Sequence, residues 1–190
     1  MCTLMGFGFL LLQCFYFLLP AYWANMAPVL LRKKLIKMAV PIDRGKSWRG
    51  QRILGDHKTV RGFVAGIVIA IIVALIQAMM YRFSAFERIS LVDYADWSYG
   101  FSIVLGLLLG AGALLGDLVK SFIKRRVGIQ PGKPFIPFDQ LDFTIGALAL
   151  SALIVNFTLP IIITCIVLSI LLHILTNHLA FFFKIRQEKW

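Results

Sequence analysis

Four polar side chains near residue 120 have the types and the spacing to do chemistry. Asp117, Lys120, Ser121 and Lys124 recur at i, i+3, i+4 and i+7, which places them on one face of a helix. A carboxylate, a hydroxyl and two ammonium groups on one face can serve a metal ion and a phosphate group together. The stripe directly follows an apolar block, and polar residues close to membrane depth are costly and usually functional.

A second acidic group follows a rigid loop. Residues 128–138 contain three prolines and two glycines and lead into Asp139 and Asp142, which share a helix face at their i, i+3 spacing. With Asp117 they make three carboxylates among many cations. Mg²⁺ prefers carboxylate and phosphate oxygens, and catalysis of phosphoryl or nucleotidyl transfer comes mostly from positioning and charge compensation. The pattern is therefore what Mg²⁺ with a polyphosphate requires.

Each of these acids also has an ordinary structural interpretation. Asp117 can form a helix ion pair with Lys120 or Lys124, and Asp139 can cap the N-terminus of the next helix. The combination favours the functional interpretation, because one acid lies at a membrane edge and two more follow the Pro/Gly loop.

A basic loop precedes the second apolar block. The side chains of Lys58, Thr59 and Arg61 are candidate hydrogen-bond donors to a phosphate group there. The segment lacks the spacing of a Walker A loop. A solvated basic loop is the plain alternative.

Two further kinds of polar residue lie at the ends of the apolar blocks or within the last one. Asn25 places an amide at the end of the first block. His57, His173 and His178 have no acid at a catalytic spacing, so we interpret them as packing or interfacial residues.

Apolar blocks must position all of these residues. The chain has 190 residues, of which 59% are hydrophobic and 15% charged, whereas soluble domains carry about 25% charged residues. Uncharged blocks of about 20 residues have the length that crosses a bilayer, and proline divides the last block near residues 156–160. The sequence predicts one domain, 1–190, that is an all-α integral membrane protein with five transmembrane helices. The predicted spans are 4–24, 62–81, 97–116, 140–157 and 161–183.

The basic residues predict how the bundle is oriented. Of twenty Lys and Arg residues, ten lie in 26–61, five in 117–142 and three in 184–190, and the net charge is +11. The positive-inside rule makes these segments cytoplasmic, with the N-terminus outside and the C-terminus in the cytoplasm. We expect a multi-pass cell-membrane protein whose two long cytoplasmic loops form a polar active-site cavity facing the cytoplasm. Anionic headgroups and a phosphorylated substrate account for the charge, so no nucleic acid is expected as partner.

Three motifs resemble those of the CDP-archaeol synthase family. Residues 116–143 resemble its signature, G-D-x-x-K-S-x-x-K-R-R-x-G-I-x-P-G-K-P-F-x-P-x-D-Q-L-D-F. Residues 58–62 resemble its K-T-x-R-G motif, and Asn25 with Pro28 resembles its N-x-x-P element. This family is the archaeal branch of the membrane CTP:phosphatidate cytidylyltransferases.

The resemblance implies a nucleotidyl transfer that depends on Mg²⁺. CMP would pass from CTP to 2,3-bis-O-(geranylgeranyl)-sn-glycerol 1-phosphate, giving CDP-2,3-bis-O-(geranylgeranyl)-sn-glycerol and pyrophosphate in archaeal phospholipid biosynthesis. The expected partners are CTP, this isoprenoid glyceryl phosphate and membrane lipids, and a homodimer is an open option. The implied metal ligands are Asp117, Asp139 and Asp142, with Lys120 and Lys124 as further catalytic residues. The implied nucleotide- and phosphate-binding residues are Asn25, Lys58, Thr59, Arg61, Ser121, Arg125 and Lys133.

One departure from the bacterial relatives bears on the substrate. Their signature closes with H-G-G and D-R-x-D, whereas residues 137–142 here read P-F-D-Q-L-D. This favours the archaeal lipid over phosphatidate, although a phosphatidate cytidylyltransferase remains the first alternative. A CDP-alcohol phosphotransferase would need a D-G-x-x-A-R signature that the chain lacks. A small transporter would place charges near the bilayer midplane, and here the acids lie at span ends.

Overall fold

The chain folds into a bundle of α-helices with one small β-hairpin. The computed structural model describes residues 2–30, 40–55, 58–95, 99–130 and 133–182. In chain order the elements are α1 (Cys2–Leu30), β1 (Ser47–Trp48), β2 (Gln51–Arg52), α2 (Val60–Met80), α3 (Ser84–Ile89), α4 (Tyr99–Arg126), α5 (Phe138–Ser151) and α6 (Leu159–Phe182).

The long helices confirm the prediction of a helical membrane protein. Within the described ranges, four helical segments are long and apolar enough to cross a membrane: Gly6–Pro28, Val60–Met80, Tyr99–Arg126 and Leu159–Leu179. The predicted fourth span, 140–157, falls on α5, which has only 14 residues and ends at Ser151. A fifth span therefore stays a prediction.

The β-hairpin is an addition to the purely helical prediction. Its strands pair antiparallel, with Ser47 opposite Arg52 and Trp48 opposite Gln51. The two turn residues, Arg49 and Gly50, have φ values of 52° and 77°, as a tight two-residue hairpin turn requires. Strands of two residues each give no hydrophobic alternation, so the sequence offered no periodic signal for them.

The predicted break between the last two helices is present. Residues 152–158 lie outside helices, and α6 begins at Leu159. Pro160 occupies the first turn of α6, where an absent N–H removes no helical hydrogen bond.

A proline inside α1 ties this helix to α2. Pro20 lies within α1 and has no N–H to donate to the carbonyl of Tyr16, four residues earlier. The buried side chain of Gln77 in α2 donates its Nε2–H to that carbonyl instead. This side-chain amide in the last turn of α2 thus satisfies a backbone group that would otherwise be orphaned in lipid.

Glycines let α4 and α5 pack backbone against backbone. A Cβ on Gly116 would collide with the carbonyl oxygen of Asp142, and a Cβ on Gly112 would collide with that of Gly146. Small residues permit this close approach between membrane helices. The contact matters for the site because it brings the end of α4 that carries Asp117, Lys120 and Lys124 next to the first turns of α5, which carry Asp139 and Asp142.

Gly116→Ala is therefore expected to destabilise the protein. The added methyl has no room beside the Asp142 carbonyl, and overpacking of this kind costs about 1–3 kcal/mol. Thermal unfolding in detergent measures the effect. Gly8→Ala is the matched control, because a Cβ on Gly8 meets nothing within 4 Å and Ala favours a helix over Gly. Equal unfolding temperatures for the two variants would contradict the proposed role of the crossing.

Candidate active site

Lys120 is the centre of a cluster of alternating charges. Its Nζ lies 3.1 Å from Oδ1 of Asp117, 3.2 Å from Oδ1 of Asp139 and 2.7 Å from Oδ2 of Asp142. The Lys120 side chain is only 15% exposed and that of Asp142 only 6% exposed. Ion pairs so far from bulk water are weakly screened, and each charge depends on its partners to remain charged.

Two more lysines flank this centre. Lys58 forms an ion pair with Oδ2 of Asp117. Lys124 donates to both oxygens of Asp139, at 3.2 and 3.1 Å. The predicted stripe on α4 and the acidic pair on α5 thus meet, and the basic loop before α2 reaches them from a distant part of the chain.

Of the two ordinary structural interpretations, the helix ion pair of Asp117 is present and the N-cap role of Asp139 is not. Asp117 and Lys120 do form an i, i+3 ion pair within α4, but that pair belongs to the larger cluster. Asp139 is not the N-cap of α5, because Pro137 holds that position. Oδ2 of Asp139 accepts the N–H of Phe135 at 2.6 Å instead, so this carboxylate fixes the end of the Pro/Gly loop while it contacts both lysines.

A polar cavity of about 300 Å³ opens beside the cluster. Four helices and the loop after α4 contribute to its walls. The predicted site residues that line it are Asn25, Lys120, Lys124, Lys133, Asp139 and Asp142.

Other predicted binding residues lie outside the lining of this cavity. Thr59 caps α2, accepting the N–H of Gly62 at 3.2 Å. Ser121 is buried. Arg125 donates to the carbonyl of Ile129 at 2.7 Å and so closes the end of α4. Nη1 of Arg61 is buried without a hydrogen-bond partner among the described residues, which leaves a donor available to an anion.

Two residues of α6 belong to the cavity although the sequence did not indicate them. His173 and Asn177 line it opposite the cluster, and Nδ2 of Asn177 donates to Nδ1 of His173 at 3.2 Å. His173 was predicted to be a packing or interfacial residue. The i, i+4 spacing of His173 and Asn177 near the end of an apolar span was the one sequence signal that these side chains share a helix face. His57, for which the same prediction was made, lies outside the described residues.

The loop before α2, described for residues 40–55, contains a buried carboxylate, that of Asp43. Oxygens of Asp43 accept hydrogen bonds from the side chain of Arg52 at 2.8 Å and from the N–H groups of Leu54, Gly45 and Gly55. Burial alone would raise the pKa of Asp43, but the ion pair and the three N–H groups outweigh it and hold that pKa well below its ordinary value. Asp43 is thus an ionised structural anchor of the loop.

Arg126 attaches this loop to the end of α4. Its Nη1 donates to the carbonyl of Trp48 at 2.6 Å, and its Nη2 donates to those of Gln51 and Arg52 at 3.2 and 2.8 Å. The guanidinium also lies over the rings of Trp48 and Phe122, which stack on each other. Loop and helix are therefore docked just before the chain reaches Lys58.

Arg126→Ala is expected to loosen the hairpin without unfolding the bundle. Loss of the charge-assisted hydrogen bonds and the cation–π contact is worth about 2 kcal/mol, which corresponds to about a 30-fold increase in local opening. Hydrogen exchange of the amides in residues 47–55 measures it. Arg125→Ala, which removes a contact to Ile129 only, serves as the control. Unchanged exchange in Arg126→Ala would show that the loop holds its place without this contact.

The carboxylates have the chemistry of ligands for a divalent cation, but Lys120 already occupies the position between them. Their oxygens already converge on one cation, the ammonium of Lys120, and hard oxygen donors of this kind are the ligands of Mg²⁺. Among the described residues, however, no group of three acidic, His or Cys side chains is arranged around a metal position. A metal ion would therefore have to compete with Lys120 for these oxygens.

Fold and site together define a class. The protein is a multi-pass membrane protein of apolar helices that carries an acid–lysine cluster and a polar cavity where the cluster-bearing ends of these helices meet. The family model of CarS-like CDP-archaeol synthases matches residues 7–190. The chain belongs to this family, which confirms the resemblance seen in its motifs.

Individual relatives agree with the family model. The chain is 37% identical over 181 residues to the CDP-archaeol synthase of Pyrococcus furiosus, covering 95% of this chain and 98% of the relative. It is 36% identical to that of Methanosarcina mazei, covering 91% of this chain and 100% of the relative. A solved structure described as an intramembrane enzyme for archaeal membrane lipids biosynthesis matches with a TM-score of 0.66 and 33% identity, covering 85% of this chain and 90% of that one.

Proposed function

We propose that this protein is a cytidylyltransferase that makes CDP-archaeol-type lipids. CMP passes from CTP to 2,3-bis-O-(geranylgeranyl)-sn-glycerol 1-phosphate, and pyrophosphate leaves. The observation that carries the proposal is the three-carboxylate, three-lysine cluster beside the polar cavity, in a chain that belongs to the family of CDP-archaeol synthases.

The chemistry requires two anions to meet. An oxygen of the lipid phosphate attacks the α-phosphorus of CTP; the new P–O bond forms as the bond to the β-phosphate oxygen breaks. The nucleophile is already ionised, so no strong general base is needed, and the barrier lies in bringing the anions together and in the charge that develops. We propose that Lys58, Lys120 and Lys124 neutralise that charge. Lys133, which also lines the cavity, and Arg61, whose Nη1 is a buried donor, are further candidates.

We propose Asp117, Asp139 and Asp142 as the residues that hold Mg²⁺. Bound there, Mg²⁺ would supply compensation for the charge of the triphosphate. The three lysines form ion pairs with these carboxylates. When the nucleotide binds, the ammonium groups of these lysines can exchange a carboxylate oxygen for a phosphate oxygen as acceptor, because both are anionic oxygens.

We propose a cytoplasmic site and a fifth crossing for the topology. Helix α5 spans about 21 Å at 1.5 Å per residue, less than a hydrocarbon core of about 30 Å, so the non-helical residues 152–158 would complete the crossing. The clustering of Lys and Arg in 26–61, 117–142 and 184–190 supports a cytoplasmic location of that end of the bundle.

The direct test is an assay of the purified protein in detergent micelles. Pyrophosphate release from CTP is measured with the isoprenoid glyceryl phosphate, with phosphatidate, and without lipid, each with Mg²⁺ and with EDTA. We expect release only with CTP, the isoprenoid lipid and Mg²⁺ together. Equal turnover of phosphatidate would assign the bacterial-type activity, and release without any lipid would contradict a transferase.

A further inference from the structure

A second, apolar depression lies on the outer surface between α4 and α5. It has a volume of about 350 Å³, and we name it the α4–α5 groove. Gly112, Gly116 and Gly146 line it where the backbones of the two helices touch. Its walls are apolar side chains that face outwards, among them Val119 and Ile145, which are 58% and 51% exposed.

The groove adjoins the active site. Lys120 and Asp142 line both the apolar groove and the polar cavity, so an ammonium group stands where the two meet. Phe135 and Phe138, whose rings stack with centroids 4.7 Å apart, also line the groove. A ligand that filled both spaces would need an anionic part at Lys120 and a hydrocarbon part beyond it.

The direction of the groove suits a chain that enters the membrane. On α4 its lining extends from Ile123 back to Gly112, and on α5 from Phe138 forward to Leu150. The part that lies beyond Lys120 and Asp142 is about 12 Å long at the helical rise. The two helices run antiparallel, so both stretches lead away from the charged cluster towards the apolar middle of the bundle.

We propose that the α4–α5 groove binds the first part of one hydrocarbon chain of the lipid phosphate, with its phosphate at Lys120. The proposal rests on the proposed function, and it assigns the side from which the lipid reaches the nucleotide. A second copy of this chain is a weaker occupant, because an apolar helix in the groove would offer nothing to the Lys120 ammonium at its mouth.

Substitution at the far end of the groove separates chain binding from headgroup binding. Ala149 lines the groove and is exposed, so the ring of Ala149→Phe fills that end without touching the cluster. We expect the KM for the isoprenoid glyceryl phosphate to rise about tenfold or more, because several buried methylene groups are displaced. The KM for CTP and for an analogue with two butyl ether chains, too short to reach Ala149, should stay unchanged. Val68→Phe on α2, at a residue that is 48% exposed, controls for an added ring on the lipid-facing surface.

A cross-linking measurement makes the groove testable apart from turnover. A lipid phosphate with a diazirine in one chain is photolysed with wild-type protein, and peptides containing Ile145 or Val119 should carry the adduct. Adducts elsewhere in a protein that turns over CTP would overturn the groove and leave the proposed function standing. Adducts in the groove of a protein without cytidylyltransferase activity would support the groove and contradict that function. An oligomeric state altered by Ala149→Phe with both KM values unchanged would assign the surface to a second copy.

Discussion

Asp117→Asn is expected to lower turnover of CTP by at least about 100-fold while the bundle stays folded. Asp117 is the carboxylate shared by Lys58 from the loop and Lys120 from its own helix. An amide of nearly the same shape fills the same space, but its one oxygen replaces only one of the two oxygens that accept from the lysines, and its N–H₂ group faces the other lysine. It cannot balance their charge, nor can it serve as an anionic oxygen ligand for Mg²⁺.

Initial rates of pyrophosphate release, together with thermal unfolding in detergent, measure this prediction. Glu87→Gln removes a carboxylate from the exposed helix α3 and should leave both quantities unchanged. If Asp117→Asn keeps more than a tenth of the wild-type rate, the carboxylate is a structural partner of the two lysines and not part of the reacting site.

Lys120→Met is expected to affect both catalysis and stability. The substitution keeps an unbranched side chain but removes the cation that, among the described residues, contacts all three carboxylates. Asp117 retains Lys58 and Asp139 retains Lys124, whereas Asp142 loses its ammonium partner in a nearly buried position. Removing one member of a buried ion pair costs about 3–5 kcal/mol, and loss of the central charge should lower turnover by at least about 100-fold.

The response to Mg²⁺ distinguishes this explanation from simple loss of packing. In wild-type protein Mg²⁺ must compete with Lys120, so Mg²⁺ without CTP should change the unfolding temperature little. In Lys120→Met the freed oxygens should bind the ion, and Mg²⁺ should restore part of the lost stability. Lys46→Met, at an exposed lysine of the loop, should show neither effect. A variant that Mg²⁺ fails to stabilise would argue against a metal site formed by these three acids.

Local spacing was sufficient to predict the stripe on α4 and the acidic pair on α5. The residues at i, i+3, i+4 and i+7 lie on one helix that does continue beyond the apolar block, to Arg126. The break near Pro160 was equally local. These features depend on helical periodicity and on the missing N–H of proline, and both are determined by residues that lie close together in the sequence.

Long-range contacts could not be predicted in the same way. Lys58 meets Asp117 across 59 positions, and Arg126 reaches Trp48 across 78. No spacing rule relates such residues, and the partners of Arg126 are backbone carbonyls, which every residue carries. His173 and Asn177 became cavity residues only because α6 packs beside α1 and α5.

Helix α5 ends before the apolar stretch that predicted the fourth span does. Hydropathy reports how apolar a stretch is, and residues 143–157 are apolar throughout. The helix nevertheless ends at Ser151, whose hydroxyl donates to the carbonyl of Ala147 at 2.7 Å. An apolar segment has the same hydropathy inside and outside a helix, so a hydropathy profile does not report where the helix ends.

The docking of the hairpin through Arg126 has a consequence for how this loop can diverge. Because the guanidinium binds the carbonyls of Trp48, Gln51 and Arg52, the contact depends on the course of the backbone and hardly on which side chains the hairpin carries. Gln51 can therefore drift to many other residues over evolutionary time, provided that the turn at Arg49 and Gly50 keeps its left-handed conformation. Side chains on the surface of this loop can therefore change without moving Lys58.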